Sequence, residues 1–201
     1  MTLLTSVQHW WGDRKNDRST TSLSDAELMQ RYAEDWQPHI IGMLIERHGD
    51  ALFHFLFTLS DQCLAEDTSQ HTWLKVIEKP TSYQSRKALF RTWLFTLGRN
   101  SLVDELRKLA RWQWQSIDEQ ALEEYPDYDE LLHFDNHENL QQQFDKALEA
   151  LPFVQKEALM LQLEGFSLEG ISDITGEKQE TIKSRLRFAR KNLKQTMEVS
   201  G

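Results

Sequence analysis

The sequence is poor in cysteine and has no long apolar run. Cys63 is the only cysteine among 201 residues, which excludes an intrachain disulfide and argues against a zinc site built from cysteines. No apolar run approaches the roughly 20 residues of a membrane span, and the first residues lack the apolar stretch of a secretion signal. No glycine-rich phosphate loop or nucleophile arrangement is present. We therefore expect a cytoplasmic protein without membrane insertion, catalytic residues, a bound metal or a cofactor.

Acidic residues outnumber basic ones, but they are concentrated in one segment. The net charge of −9 by itself argues against a nucleic-acid partner. Residues 116–139, however, contain nine acidic residues and no Lys or Arg, which equals that whole net charge. Residues 86–111 and 177–194 each contain seven basic residues and two acidic ones. Because phosphate binding depends on local basic surfaces, two basic segments held apart by an acidic connector favour a DNA-binding protein.

Helical signals dominate the N-terminal half of the chain. Ser24 and Glu27 have the spacing of a capping box, which predicts the start of a helix. Apolar residues then recur at helical spacing over 40–60, and we expect a joint within that segment at Gly49-Asp50. Further helices are predicted over 63–78 and from about Ala88 to Trp112. The pattern indicates a helical bundle rather than a sheet.

The acidic segment divides the chain into two helical parts. We predict an all-α protein with two helical domains joined by an acidic linker. The first 22 residues are expected to form a loose tail that carries the Trp10-Trp11 pair. The predicted boundaries are a tail over 1–22, a first domain over 23–112, a linker over 113–139 and a second domain over 140–197.

The C-terminal segment predicts two short helices separated by a tight turn. Ser167 is placed to cap the first of them, and Gly176 can adopt the positive φ that ends it. A last helix is predicted from about Gln179 to Met197, with its apolar positions in a core. Six residues are then directed outward, namely Glu180, Thr181, Lys183, Ser184, Arg187 and Lys191. This is the layout of a helix-turn-helix, whose second helix enters the major groove; a helical hairpin with a solvated basic face is the alternative.

The first basic segment follows a helix with a polar strip. Asp67, Gln70 and Leu74 fall on one helix face, which suits a protein interface; an ordinary amphipathic surface is an equally good interpretation of these residues alone. On the next helix, Trp93 is expected in the core, whereas the basic residues lie largely outside. Basic side chains interleaved with aromatics, beside the polar loop 79–87, suit a nucleic-acid strand with unstacked bases.

Two series of residues occur in this order along the chain. The first is Ala65-Glu66-Asp67, Gln70 and Trp73, then the run 91–100 and Asp104-Glu105-Leu106-Arg107. The second is Leu151-Pro152, Glu157, Leu161, Gly165-Phe166-Ser167, Ile171, Gly176, the run 181–186, Ala189-Arg190 and Leu193. The first series resembles region 2 of the bacterial extracytoplasmic-function (ECF) RNA polymerase sigma factors of the sigma-70 family, and the second resembles their region 4. The resemblance covers residues 24–112 and 140–196.

The resemblance implies a transcription initiation factor and not an enzyme. Such a protein binds core RNA polymerase, through the β′ clamp helices and the β flap, and directs it to promoters by recognising −10 and −35 elements and assisting melting. An anti-sigma factor is a further implied partner, and the acidic linker is expected near the RNA-exit channel. The residues implied to bind polymerase are Asp67, Gln70, Trp73 and Leu74. Those implied to handle the −10 element, together with the loop 79–87, are Lys87, Arg99, Asn100, Arg107 and Lys108. Those implied to read the −35 element are Thr181, Lys183, Ser184, Arg187 and Lys191.

The sequence departs from the family pattern at two places in the second domain. Gly170 stands where the pattern has a glutamate, and glycine weakens a helix by about 1 kcal/mol relative to alanine. Phe188 stands just before Ala189, where the pattern has a basic residue, and Arg187 precedes it. This order leaves the −35 base contacts open.

Two other classes of function compete with this interpretation. A stand-alone helix-turn-helix transcriptional regulator would use residues 1–112 as a sensor or dimerisation domain, but such a domain has no need of a basic helix. An enzyme would need a site, and His133 and His137 could bind a metal beside Asp129 and Glu138 if that segment were helical. These residues lie in the predicted linker without a third ligand, which favours surface histidines.

Overall fold

The described part of the chain is helical throughout its regular secondary structure. The computed structural model describes residues 23–117 and 140–199, with side chains for 23–110 and 144–196. The tail 1–22, its Trp10-Trp11 pair and the His133/His137 pair lie outside the described residues. The helices are α1 (Asp25–Asp35), α2 (Pro38–Leu59), α3 (Gln62–Glu78), α4 (Phe90–Ile117), α5 (Leu140–Glu149), α6 (Phe153–Leu163), α7 (Leu168–Thr175) and α8 (Gln179–Val199), with a short 3₁₀ turn over Pro80–Ser82. The predicted all-α class is confirmed.

Local sequence sets the start and end of α1. The Ser24 hydroxyl accepts a hydrogen bond from the Glu27 backbone N–H at 3.3 Å, and the Ser24 N–H donates to the Glu27 carboxylate at 2.7 Å. This reciprocal pair is the predicted capping box. Trp36 then adopts a left-handed conformation with φ of 54°, and Pro38 occupies the first turn of α2. Because proline needs no intrahelical N–H partner there, the chain turns and restarts at once.

Two predicted helix boundaries differ from the structure. The expected joint at Gly49-Asp50 is wrong, since α2 runs without a break from Pro38 to Leu59. One glycine costs a helix only about 1 kcal/mol, whereas each fully buried Leu or Phe on this helix contributes about 1.5–3 kcal/mol. Helix α4 also continues past the expected end at Trp112 to Ile117, into the segment that composition assigns to the linker.

The first domain is a bundle in which α2, α3 and α4 approach closely. Its centre consists of side chains with no measurable exposure, namely Leu44, Leu52, Phe55, Leu56, Val76, Leu94, Phe95 and Leu102. Gly98 lies where α4 meets α2, and a Cβ added there would stand 2.8 Å from Cδ1 of Leu52. A larger residue at position 98 would therefore force the buried Leu52 side chain to shift.

The second domain is a helix-turn-helix, as the sequence predicts. Ser167 caps α7 by accepting a hydrogen bond from the Gly170 N–H at 3.1 Å, and Gly176 ends the helix with φ of 73°. The residues expected in the core are buried, with Leu168 at its edge: Ile171, Ile174, Ile182, Leu186, Ala189 and Leu193. Helix α8 packs on α5, α6 and α7, and among the described residues its opposite face carries exposed side chains.

The two domains pack against each other. Helix α4 contacts α7, and α2 contacts α6. The Phe95 and Phe166 rings meet edge to face at 4.9 Å between centroids, an arrangement that aromatic pairs favour. The buried side chains of both domains form one continuous cluster. In this packed arrangement, two separate basic helices, α4 and α8, belong to one continuous structure.

Candidate nucleic-acid interface

Helix α8 presents a basic surface near its N-terminus. Lys183, Ser184, Arg187 and Lys191 are exposed there, and Thr181 is half-buried. The Lys183 ammonium lies 2.6 Å from the Glu180 carboxylate, an exposed pair one turn apart that a DNA phosphate can replace at little cost. The predicted −35 residues are therefore together on one face of the second helix of the motif.

An ion pair at the start of α8 fixes the helix in the motif. The Arg185 guanidinium lies 2.7 Å from the Glu177 carboxylate and 4.0 Å from that of Glu157. Farther along, Arg190 donates to the Gln162 side chain at 2.6 Å, and Asn192 donates to that of Gln155 at 2.9 Å. These contacts attach α8 to α6 and orient its basic face outward.

The loop 79–87 rests on a cluster of aromatic rings. Tyr83 lies 5.5 Å from the Phe90 ring and 5.3 Å from the Trp93 ring, measured between centroids. Burial, followed by the nearby charge of Asp25, raises the pKa of Tyr83 above its ordinary value, so the phenol stays neutral. Trp93 packs against the core, as expected. A pocket of about 420 Å³ lies between this loop and α1, with Met29 and Arg86 among its lining residues.

The sequence did not indicate that Tyr83 packs against aromatic rings of the first domain. A lone tyrosine in a polar loop carries no periodic signal, and its partners lie on the following helix. Lys87, the predicted −10 residue of this loop, is exposed four residues later in the chain.

A groove of about 980 Å³ separates α3 from α4. Asp67, Gln70 and Leu74 line its α3 side, and Arg107 and Lys108 line its α4 side. The groove thus brings together residues that the sequence assigns to polymerase and residues that it assigns to DNA. Leu74 is 52% exposed and adds an apolar side chain to the α3 side of the groove.

Trp73 and Asn100 have different surroundings from the groove residues. Trp73 is only 7% exposed and belongs to the core under α3. The buried ring can hold the residues of the α3 surface in position, but little of the ring itself is accessible to a partner. Asn100 is exposed on α4 next to Arg99.

Arg99 is engaged by the second domain. Its Nε donates to Oε1 of Glu157 at 2.8 Å, where the Arg99 side chain is 20% exposed and the Glu157 side chain is fully buried. A second interdomain pair joins Arg91 to Glu164, also at 2.8 Å, and the Arg91 guanidinium stacks 4.5 Å from the Phe166 ring centroid. Sequence reasoning missed both carboxylates as partners, because their arginines are distant in the chain.

The described residues form neither a metal-binding cluster nor a membrane-spanning helix. No group of three or more His, Cys, Asp or Glu side chains in that part of the chain could hold a metal ion. None of the helices described is both long and apolar enough to cross a membrane.

Comparison with known proteins identifies both domains. The family model for Sigma-70 region 2 matches residues 44–112, and the model for Sigma-70, region 4 matches residues 141–193. The chain is 34% identical to the ECF RNA polymerase sigma factor EcfG of Rhodopseudomonas palustris over 141 residues, which are 68% of this chain and 73% of that protein. It is 26% identical to the ECF RNA polymerase sigma factor SigE of Mycolicibacterium smegmatis over 189 residues, or 92% of this chain and 70% of that one.

Solved structures share the fold. The sigma factor RpoE, crystallised with the anti-sigma factor NepR from Bartonella quintana, is 32% identical with a TM-score of 0.62 over 80% of this chain and 98% of that chain. CnrH, solved with the cytosolic domain of CnrY, has the same TM-score at 19% identity and shows likeness of fold alone. The stand-alone regulator is not favoured by these matches. The chain belongs to the ECF sigma factors of the sigma-70 family, the promoter-specific initiation factors of bacterial RNA polymerase.

Proposed function

We propose that this sigma factor binds core polymerase, the −10 element and the −35 element through three separate surfaces. The α3 side of the groove binds core polymerase, the exposed end of α4 with the loop 79–87 handles the −10 element, and the outer face of α8 reads the −35 element. The observation that carries this proposal is the separation of two basic faces on one scaffold, each on a domain that matches a sigma region. Region 2 is assigned to 23–112 and region 4 to 140–197, with an acidic linker over 113–139.

The polymerase surface is proposed on Asp67, Gln70 and Leu74. Their side chains are exposed and share one wall of the α3/α4 groove. A mixed surface of one carboxylate, one amide and one leucine can form an interface with an apolar centre and a polar rim. Trp73, buried below, supports the shape of this surface.

The −10 surface is proposed on the loop and on α4. Lys87, Asn100, Arg107 and Lys108 are exposed. Arg107 and Lys108 each pair with an acidic residue one turn earlier. Such exposed pairs contribute about 0–1 kcal/mol and yield readily to a phosphate. Arg99 can contact the −10 element only when its ion pair with Glu157 is broken.

The −35 surface is proposed on Lys183, Ser184, Arg187 and Lys191, with Thr181 at its edge. Lys and Arg can bond guanine edges in the major groove, and serine and threonine serve either phosphate or base. A basic helix that has no covering element on this side within the described residues is suited to enter that groove.

An anti-sigma factor is proposed as a regulator of this protein. The supporting observation is that a relative with 32% identity was crystallised with one. We further propose that the protein acts in the cytoplasm without catalytic activity, since sigma factors work by binding.

A binding and transcription experiment tests these assignments. Purified protein is mixed with bacterial core RNA polymerase and a promoter library, and two double variants are compared with the unchanged chain. Asp67→Lys with Gln70→Ala should abolish core binding, because charge and hydrogen bonding on α3 are both altered, while circular dichroism stays unchanged. Lys183→Ala with Arg187→Ala should retain core binding.

The two variants serve as controls for each other. In the second variant each lost base contact should cost about 1–3 kcal/mol at a preferred −35 sequence. Unchanged core affinity in the first variant would remove the polymerase role of α3. An equal loss at preferred and mutated −35 sequences would mean that α8 touches only phosphates.

A further inference from the structure

Phe188 is an exposed aromatic residue on the proposed −35 helix. Its side chain is 45% exposed, although the other apolar residues of α8 with described side chains are buried in the domain core. Spacing of three and four residues places it beside Ser184 and Lys191 on the helix surface. The Arg187 guanidinium lies 5.1 Å from the centroid of its ring.

The surroundings of Phe188 do not suit an apolar protein partner. Within the part of the chain that the structure describes, Phe188 takes no part in the hydrophobic core. Its neighbours on the exposed surface are cationic or polar, with Arg187 and Lys191 both exposed. One phenyl ring among positive charges fits a surface that is strongly negative and carries a single, isolated apolar group.

Duplex DNA presents such a group in the major groove. The C5-methyl of thymine is the apolar feature among the base edges there, and phenylalanine is one of the side chains that contact it. Insertion of an apolar wedge between base pairs is a device of minor-groove binders, so it does not apply to a major-groove helix. We propose that Phe188 reads a thymine in the −35 element through its methyl group, an inference that rests on the proposed −35 role of α8.

The contact with Arg187 orders the Phe188 ring before DNA binds. A guanidinium against a ring restricts the motion of both side chains, and side chains that are ordered beforehand lose less entropy on binding. The guanidinium donors remain free to bond a phosphate or a guanine at the same time. Arg187 and Phe188 thus act as adjacent readers, one polar and one apolar.

The test uses the full chain in complex with bacterial core RNA polymerase. A promoter pool with a randomised −35 region is selected by this holoenzyme, and a preferred promoter is synthesised with deoxyuridine in place of each −35 thymine in turn. Deoxyuridine lacks only the methyl group. One replacement should weaken binding about fourfold, equivalent to the ~0.8 kcal/mol of one buried methyl at 1.4 kcal/mol per tenfold.

Protein variants assign that methyl to Phe188. The Phe188→Ala holoenzyme should bind thymine and deoxyuridine promoters equally, and Phe188→Leu should keep about a twofold difference. Val154→Ala is the matched control, because Val154 is also exposed in the second domain, at 41%, but lies on α6. This control should keep the full difference.

The outcomes separate this inference from the role of α8. A selected −35 sequence without thymine, or the same deoxyuridine effect in the unchanged and Phe188→Ala proteins, overturns the assignment of Phe188. If no −35 sequence is selected at all, the −35 role of α8 is overturned and this inference with it.

Discussion

Replacing Arg99 with alanine would leave the Glu157 carboxylate buried without its hydrogen-bond partner from the other domain. The pair is 2.8 Å apart, and the Glu157 side chain has no exposure. The Nε–H that Arg99 donates to Glu157 is not available to a DNA phosphate at the same time, and the contact holds the guanidinium against the second domain. We therefore expect the packed arrangement of the domains to compete with any −10 contact by Arg99.

The structure sets the size of the expected effect. A hydrogen bond to a charged group contributes about 1.5–3 kcal/mol, and breaking a buried ion pair costs about 3–5 kcal/mol. Two features of the structure favour the lower of these two free-energy ranges. Arg99 keeps 20% of its side-chain exposure, and Arg185 remains 4.0 Å from the other oxygen of Glu157. We expect a coupling of about 2 kcal/mol, which is about a 30-fold shift in the equilibrium between packed and separated domains.

A double-mutant cycle measures this coupling. The variants are Arg99→Ala, Glu157→Gln and both together, since Glu157→Gln alone also affects the contact with Arg185 within its own domain. Domain separation is followed by single-molecule energy transfer between a dye on the exposed Cys63 and one on a cysteine introduced at the exposed Gln195. Sub-denaturing urea populates both states so that their ratio can be measured.

The control cycle uses Lys108 and Glu105. This pair is also close, at 2.7 Å, but it is exposed and both residues belong to α4, so domain separation should not change. Effects of Arg99→Ala and Glu157→Gln that add within about 0.5 kcal/mol would show no coupling. That result would refute the view that this ion pair holds the domains together.

Two further predictions concern the stability of the first domain. Gly98→Ala and Gly42→Ala make the same change in two helices, yet a Cβ at 98 meets Leu52 at 2.8 Å and one at 42 meets nothing within 4 Å. Overpacking costs about 1–3 kcal/mol, and alanine in place of glycine stabilises a helix by about 1 kcal/mol. In urea unfolding, Gly42→Ala should therefore be more stable than the unchanged chain, and Gly98→Ala should be about 1–3 kcal/mol less stable than Gly42→Ala. Equal values for the two variants would contradict the close approach at Gly98. Burial would raise the pKa of Asp25, but hydrogen bonds and charges from His48 first and then Arg47 outweigh it and lower that pKa. The contribution of ionised Asp25 to the free energy of unfolding is present above about pH 4, the ordinary aspartate range, and is lost as the pH falls below it. Unfolding free energies measured between pH 6 and 2 should therefore fall less steeply in Asp25→Asn; parallel curves would contradict this.

Much of the local structure was predictable because its causes are local. The capping box at Ser24, the cap at Ser167 and the positive φ of Gly176 each depend on a few neighbouring residues. Helical spacing identified the core of the second domain for the same reason. The joint expected at Gly49 failed, because burial of the whole α2 stripe outweighs the weak local preference of one glycine.

The proposed functional residues were predictable only in part. Exposure of Lys183 and Arg187 follows from helical spacing, whereas burial of Trp73 depends on the helices that pack over it. The packing of Tyr83 gave no signal in the sequence, because it depends on ring contacts with Phe90 and Trp93.

The sequence by itself determined the all-α class, the family resemblance and the alternation of basic and acidic segments, because composition, periodicity and motif order are properties of the linear chain. The tertiary structure decided that Arg99 faces a buried glutamate 58 residues away and that α4 packs against α7. Such contacts depend on how two separately predictable helices come together. Neither helix encodes its partner in its own periodicity, since burial and charge pairing between distant segments are set only when both are folded.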